Sequence, residues 1–352
     1  MPPIRVFTPS FADEDNTNAQ NLTVKEIVAR LSPEQFHVTM LAMGKPDARI
    51  AARRNTVVLP YYKHGNTPRL LVSLLPSPPD VYFYPRQGPF DLLFLRYRRY
   101  FRRRCALITH VTMVMNEKTV TPAWETVVRE SDLLFGNSLC VTETVKEYFH
   151  RPAETMHNGV DPRWFHGRST PVDATGRRVR ALYAGSFQER KRVSFLIQQA
   201  AQLPDVEFRL AGKGEEEGSC RQLAAKLGCE NVTFLGHLNP EALGEEMRGA
   251  DLFLFPSVLE GHPQVLGQAA ACGLPVVAMN LYRPDYVVDG ETGFLAESES
   301  DFAEKVQVLV GNRELRARMS AAAVKHAEQF SWDRIAGRWA EVLEAAVARR
   351  RG

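Results

Sequence analysis

Short apolar runs recur along the chain, separated by stretches whose apolar positions return every three or four residues. The runs have the pattern of buried strands and the stretches that of helices packed by one face, so their alternation predicts parallel sheets wound with helices. In the first half the strand candidates are Ile4–Pro9, Phe36–Ala42, Thr56–Leu59, Asp80–Tyr84, Ala106–His110 and Leu133–Asn137. Helices are predicted over Asn18–Leu31, Pro68–Leu75, Phe90–Arg104, Thr121–Ser131 and Leu139–Phe149. A second winding places strands at Val179–Ala184, Val206–Leu210, Val232–Leu235, Leu252–Phe255 and Pro275–Met279. Between the two windings, Pro162–Arg178 is polar, rich in Gly, Pro and Arg, and without periodicity, which reads as a linker. The expected organisation is therefore a domain over 1–165, a linker over 166–178, a second domain over 179–330, and a terminal helix over 331–352 capped by Ser331. A chain of 352 residues is long enough for two such domains.

Composition narrows the class. Charged and hydrophobic fractions are ordinary, and no apolar run approaches the roughly 20 residues that span a bilayer. The opening Met1–Ser10 lacks the charged-then-apolar layout of a signal segment. Five cysteines without a CxxC pair fit reduced thiols better than a disulfide frame or a zinc site, so a cytoplasmic location is expected. Residues 1–170 carry 22 Lys and Arg against 16 Asp and Glu, whereas the remainder carries 22 against 25. The basic residues cluster locally and no nucleic-acid-binding motif is present, so nucleic acid is not expected as a partner.

The candidate chemistry gathers in the second half. In PSVLEGHPQVLGQAAACGLPVVA, Pro256–Ala278, an apolar strand ends in Pro256-Ser257, a loop carries Glu260-Gly261-His262-Pro263, and a helix follows to about Cys272. Pro near the start and Gly273 just past the end are the expected punctuation. Amides at the start of such a helix receive hydroxyl or phosphate oxygens, and the dipole favours negative charge there. Glu260, just before that start, can accept hydrogen bonds from hydroxyls, and Gln268 lies two helical turns later on the same face. Upstream, YAGSFQERKRVSFLIQQA (Tyr183–Ala200) is a strand, a basic loop and a helix, and LAGKGEEEG (Leu210–Gly218) is a strand-end glycine loop.

These segments resemble the family-four retaining glycosyltransferases, a group with the two-domain GT-B fold in which two Rossmann-like doubly wound parallel sheets face across a cleft. The resemblance continues through NVTFLGHL, ADLFLFPS, VVDGETGFL and FSWDR, the last being the entry to a terminal helix that returns to the first domain. It implies a transferase that moves a sugar from a UDP- or GDP-linked donor to a hydroxyl acceptor, with retained anomeric configuration, no bound metal and no separate cofactor. His110, Lys191 and Glu260 are then the expected catalytic set. Donor binding falls to Gly185, Ser186, Arg190, Gly212, Gly261, His262, Pro263, Gln264, Val265 and Gln268. Two positions depart from the family pattern. Ser186 stands where the arginine beside the diphosphate is usual, with Arg190 and Arg192 as substitutes for its charge, and Gln268 stands where a second glutamate is usual.

The first half matches less specifically. SDLLFGNSLCVTETVKEYF and HNGVDPRWF resemble the end of an acceptor-side domain, and His110 ends a strand where it either faces the donor sugar or is structural. The loop after the first strand, SFADEDNTNAQ, lacks glycine; Asn16 and Asn18 offer amide side chains, and Asp13, Glu14 and Asp15 are expected to face outward. In Phe90–Arg104, apolar Phe90, Leu93, Phe94, Tyr97 and Phe101 oppose a crowd of arginines at 96, 98, 99 and 102–104. Such a helix either packs on the sheet or touches an anionic membrane or acceptor. The acceptor class stays open between a sugar, a lipid-linked molecule and a small molecule. The alternative functions are an epimerase-like enzyme of the same fold and a sugar-nucleotide-binding protein with weakened transfer.

Overall fold

The computed structural model describes residues 2–15, 19–61, 67–74, 76–98, 105–168 and 176–351. Asn16, Asn18, the arginines at 99 and 102–104, Phe101 and the linker positions 169–175 lie outside the described residues. The chain divides into two units, Met1–Asn158 with Trp332–Gly352, and Gly159–Ser331.

Unit 1 is a parallel sheet of seven strands, β1 (Ile4–Phe11), β2 (Phe36–Ala42), β3 (Thr56–Pro60), β4 (Val81–Phe83), β5 (Ala106–Val111), β6 (Leu133–Gly136) and β7 (Glu154–Thr155), in the order β3-β2-β1-β4-β5-β6-β7. Its strands read as near-continuous apolar runs because helices cover both faces. One face packs Val24, Ile27 and Val28 of the helix Ala19–Arg30 with Ile335, Trp339 and Leu343 of the terminal helix Trp332–Arg351. Trp339 is wholly buried, edge-on to Phe83 and Phe135. Helix starts follow the local rules: Thr121 and Ser138 cap their helices by accepting from the amides of Trp124 (3.2 Å) and Val141 (3.1 Å).

Unit 2 is a parallel sheet of six strands, β8 (Val179–Ala184), β9 (Val206–Ala211), β10 (Val232–Gly236), β11 (Leu252–Phe255), β12 (Val276–Met279) and β13 (Gly293–Ala296), ordered β10-β9-β8-β11-β12-β13. The winding reverses between β8 and β11, and in open sheets the crevice beyond the strand ends at such a reversal is where ligands sit.

Gly159–Phe165 is tied into unit 2, where Val160 N donates to Phe330 O at 2.7 Å and Arg248 Nη1 to Trp164 O at 2.7 Å. Two expectations need correction. Asp13 faces inward, its carboxylate taken by the amides of Met43 (3.0 Å) and Gly44, while Glu14 and Asp15 are exposed. The helix after Gly88 is described over Pro89–Tyr97, and Arg98 just beyond it is buried against Asp132 and the carbonyl of Glu130 instead of presenting its charge to solvent.

Candidate functional site

The loops after β8 and β9 are pressed together. Gly185 N donates to Ala211 O (3.0 Å), Phe187 N to Lys213 O (2.9 Å) and Glu216 N to Phe187 O (3.1 Å). This approach depends on glycine. At Gly212, with φ of 137°, a Cβ would lie 1.8 Å from Gly185 O, and at Gly214 it would lie 2.3 Å from Phe187 O. Tyr183 fixes the first loop from below by donating its hydroxyl to Ser186 O at 3.0 Å.

The loop after β11 closes onto the basic turn. Val258 N donates to Arg190 O at 3.0 Å, and the Ser257 hydroxyl reaches both that carbonyl (3.3 Å) and Glu260 Oε1 (2.5 Å). The same Glu260 oxygen meets Lys191 Nζ at 2.5 Å and Arg190 Nη1 at 2.8 Å. Lys191 stands 4.9 Å over the Phe255 ring, and burial pushes its pKa below the usual lysine value while Glu260 pulls it back up. Two cations thus share one carboxylate, leaving a net positive corner.

The helix Gln264–Ala271 begins beside that corner. Its N-cap, Pro263, has no side-chain oxygen to satisfy the first amides. Gly267 lies against Tyr286, whose ring stacks on His262 at 4.4 Å, which fixes the angle of the helix. A cavity of about 630 Å³ opens over these elements, lined by Gly185, Ser186, Lys191, Gly212, Pro263, Gln264, Val265 and Gln268 together with Lys213, His237, Leu238 and Leu243. It lies at the β8/β11 reversal, between the ends of both strands.

Placement differs among the residues singled out from the sequence. Seven of the ten donor-side positions line the cavity together with Lys191 of the catalytic set, and Glu260 stands behind it through Lys191. Gly261 and His262 belong to the loop that leads into the helix and are not in the wall. Arg190, offered for the charge missing at Ser186, lies outside the cavity wall with its guanidinium on Glu260 and on Leu259 O at 2.9 Å, and Arg192 pairs with Glu299. Lys213 and His237 were not anticipated, since a lysine inside a GxG loop and a histidine after a strand carry no distinctive spacing. Among the described residues no three His, Cys, Asp or Glu side chains gather as metal ligands.

His110 is placed apart from this cavity. It lies inside unit 1, 1% exposed, with Nε2 against Met156 O at 2.7 Å and its ring edge-on to Tyr84 and Trp339. Burial pushes its pKa down to about 4, so the ring is neutral. Nearer the surface, unit 1 has its own winding reversal between β1 and β4. There Tyr84, at φ 61°, turns the chain so that Arg86 lies 5.1 Å over Phe11 and donates to Asn21 Oδ1. Ser10 Oγ, Asn21 Nδ2, Tyr84 Oη and Arg86 Nε are buried there and find no hydrogen-bond partner among the described residues.

Comparison with known proteins follows this geometry. Residues 172–326 match the family model described as glycosyl transferases group 1. The chain is 32% identical over 248 residues to a D-inositol 3-phosphate glycosyltransferase of Streptomyces scabiei, covering 63% of this chain and 55% of that protein. It is 33% identical over 259 residues to the protein of the same name from Geodermatophilus obscurus, covering 64% and 56%. The chain thus spans little more than half the length of these relatives. Among solved structures, Anabaena HepE in complex with UDP aligns with a TM-score of 0.80 at 18% identity, over 97% of this chain and all of that one. Sucrose-phosphate synthase from Thermosynechococcus elongatus aligns with a TM-score of 0.78 at 16% identity, over 99% and 100%. At such identities the likeness establishes the fold, which is GT-B.

Proposed function

We propose that this chain, which over residues 172–326 belongs to the glycosyl transferases group 1 family, transfers a sugar from a nucleoside-diphosphate donor to a hydroxyl acceptor with retention and without a bound metal. The observation that carries the reading is the corner where Lys191, Arg190 and Glu260 meet beside the uncapped start of the helix Gln264–Ala271, at the edge of a cavity large enough for a nucleotide. Negative charge grows on the diphosphate as the sugar leaves. A fixed ammonium and the helix amides stabilise it without rearranging, which is the work a metal does elsewhere. Glu260, held by Ser257 and Arg190, orients the transferred sugar, and Gln268 meets the ribose.

For the acceptor, the unpaired groups of Ser10, Asn21, Tyr84 and Arg86 in unit 1 suit a polar molecule bearing hydroxyls, and the half-buried guanidinium suits one bearing an anion. Relatives named for D-inositol 3-phosphate support that choice. The test is release of nucleoside diphosphate from UDP- and GDP-sugars, with and without polyol phosphates, followed by NMR of the product anomer. Transfer with retention that EDTA does not abolish is expected, and Glu260→Gln keeps nucleotide binding but loses turnover. Tight nucleotide binding with neither transfer nor hydrolysis across the panel would reduce the chain to a binding protein.

A further inference from the structure

We infer that Lys213 is the second cation on the donor diphosphate, acting beside Lys191; this rests on the reading of the cavity as a nucleoside-diphosphate-sugar site. The charge in the cavity motivates it. Two lysines line the wall, Lys191 and Lys213. Lys191 already faces a carboxylate, Glu260, at 2.5 Å. A diphosphate brings at least two negative charges and gains another as the glycosyl bond breaks, so Lys191 alone leaves it poorly balanced. Ser186, at the head of the same loop, is uncharged, and Arg190 and Arg192 are committed to Glu260 and Glu299.

Lys213 is differently placed. It is exposed, and no ion pair to it is found among the described residues. Three acids follow it, Glu215, Glu216 and Glu217; Glu217 is held by Arg221 at 2.8 Å, and among the described residues none of the three is found in an ion pair with Lys213. Its backbone is fixed where the two loops cross, because Phe187 N donates to Lys213 O and both flanking glycines, Gly212 and Gly214, have no room for a Cβ. Lys213 is thus the side chain that emerges from that crossing, beside Ser186. Its stem passes over Gly236, where Cε lies 3.8 Å from the place a Cβ would occupy. With no side chain there to trap it, a flexible four-carbon stem can carry the ammonium from the β10 side of the cavity to the phosphates.

The experiment is calorimetry on the full chain with two ligand pairs, UDP with uridine and GDP with guanosine, for the wild type, Lys213→Gln and Lys213→Arg. A phosphate contact predicts that Lys213→Gln weakens the diphosphate at least tenfold and the nucleoside less than twofold, that Lys213→Arg stays close to wild type, and that the salt dependence of diphosphate binding becomes shallower in Lys213→Gln. Equal losses for nucleoside and diphosphate would assign Lys213 to the base or to the structure of the loop and overturn the inference. So would unchanged diphosphate affinity in Lys213→Gln. A wild-type chain that binds neither diphosphate overturns the reading of the cavity itself, a result distinct from failure of Lys213 alone.

Discussion

Glu260 Oε1 is approached by a hydroxyl, an ammonium and a guanidinium, and that crowding decides what each substitution does. Removing Lys191 leaves the carboxylate still held by Ser257 and Arg190, so the loop keeps its shape while the cavity loses its buried positive charge. Lys191→Ala is therefore expected to lower kcat by about a hundredfold at saturating donor, in line with losing one preorganised donor; turnover within a few-fold of wild type would refute the role. Unit 1 has a second residue-scale signature, in its response to acid. His110, with its pKa pushed down to about 4 by burial, contributes stability that is complete above the unfolded value near 6.5 and lost as pH falls toward 4. Asp91, pushed up to about 6 by burial beside the Tyr82 hydroxyl at 2.6 Å, acts in the opposite sense, its contribution being lost as pH rises from about 4 through 6. The two offset one another across that window. Asp91→Asn should steepen the fall of the melting temperature between pH 6.5 and 4, and His110→Gln should flatten or reverse it. Parallel curves for all three proteins would show that neither group is coupled to folding.

Elements carry the site through their ends, and the loop crossing of β8 and β9 depends on glycine at one position above all. An alanine at Gly212 would need an unfavourable φ of 137° and would drive its Cβ into Gly185 O. Gly212→Ala is expected to lower the melting temperature of unit 2 and to abolish nucleotide binding, whereas Gly218→Ala, with open space around it on the helix Glu217–Lys226, should leave both nearly unchanged. Calorimetry with UDP and thermal melts of the pair decide it; similar behaviour of the two variants would remove the crossing from the argument. The strands were legible from sequence as short apolar runs, most plainly where every residue is buried, as at Leu252–Phe255 and Val276–Met279. The two-residue β7 and the five-residue helix Ala48–Ala52 were not, since neither is long enough to show a period. The same limit applies to the cavity wall. Pro256–Gln268 declares itself by a strand, a polar loop and a punctuated helix in sequence, but Lys213 and His237 arrive through packing of separate strand ends, which no local spacing records. For His110 the sequence left two placements open, because a strand-end position does not tell whether the ring points to solvent or packs against the terminal helix, as it does at Trp339.

At the scale of the molecule the last segment of the chain completes the first unit. Gly159–Ser331 holds its own core around Phe208, Phe253 and Leu266, while unit 1 borrows Trp332, Ile335, Trp339 and Leu343 from the terminal helix. Unit 1 therefore lacks part of its core until Trp332–Arg351 has joined it, and with separate cores the two units are expected to lose structure in separate steps. Trp339 is the place to test this, because it is fully buried and touches Phe83 of β4, His110 of β5 and Phe135 of β6. Truncating such a side chain removes its transfer energy and leaves a cavity, a cost of about 3–5 kcal/mol. Trp339→Ala should bring that loss to unit 1 alone. Native-state hydrogen exchange would read it as faster opening at Phe83, Ile108 and Phe135, with the amides of Leu182 and Leu254 in unit 2 as protected as in the wild type. Nucleotide binding in the unit 2 cavity should survive, since none of its lining residues depends on Trp339 for support. Equal loss of protection in both units would mean that they unfold as one body, and the terminal helix would then stabilise the whole chain and not its first half.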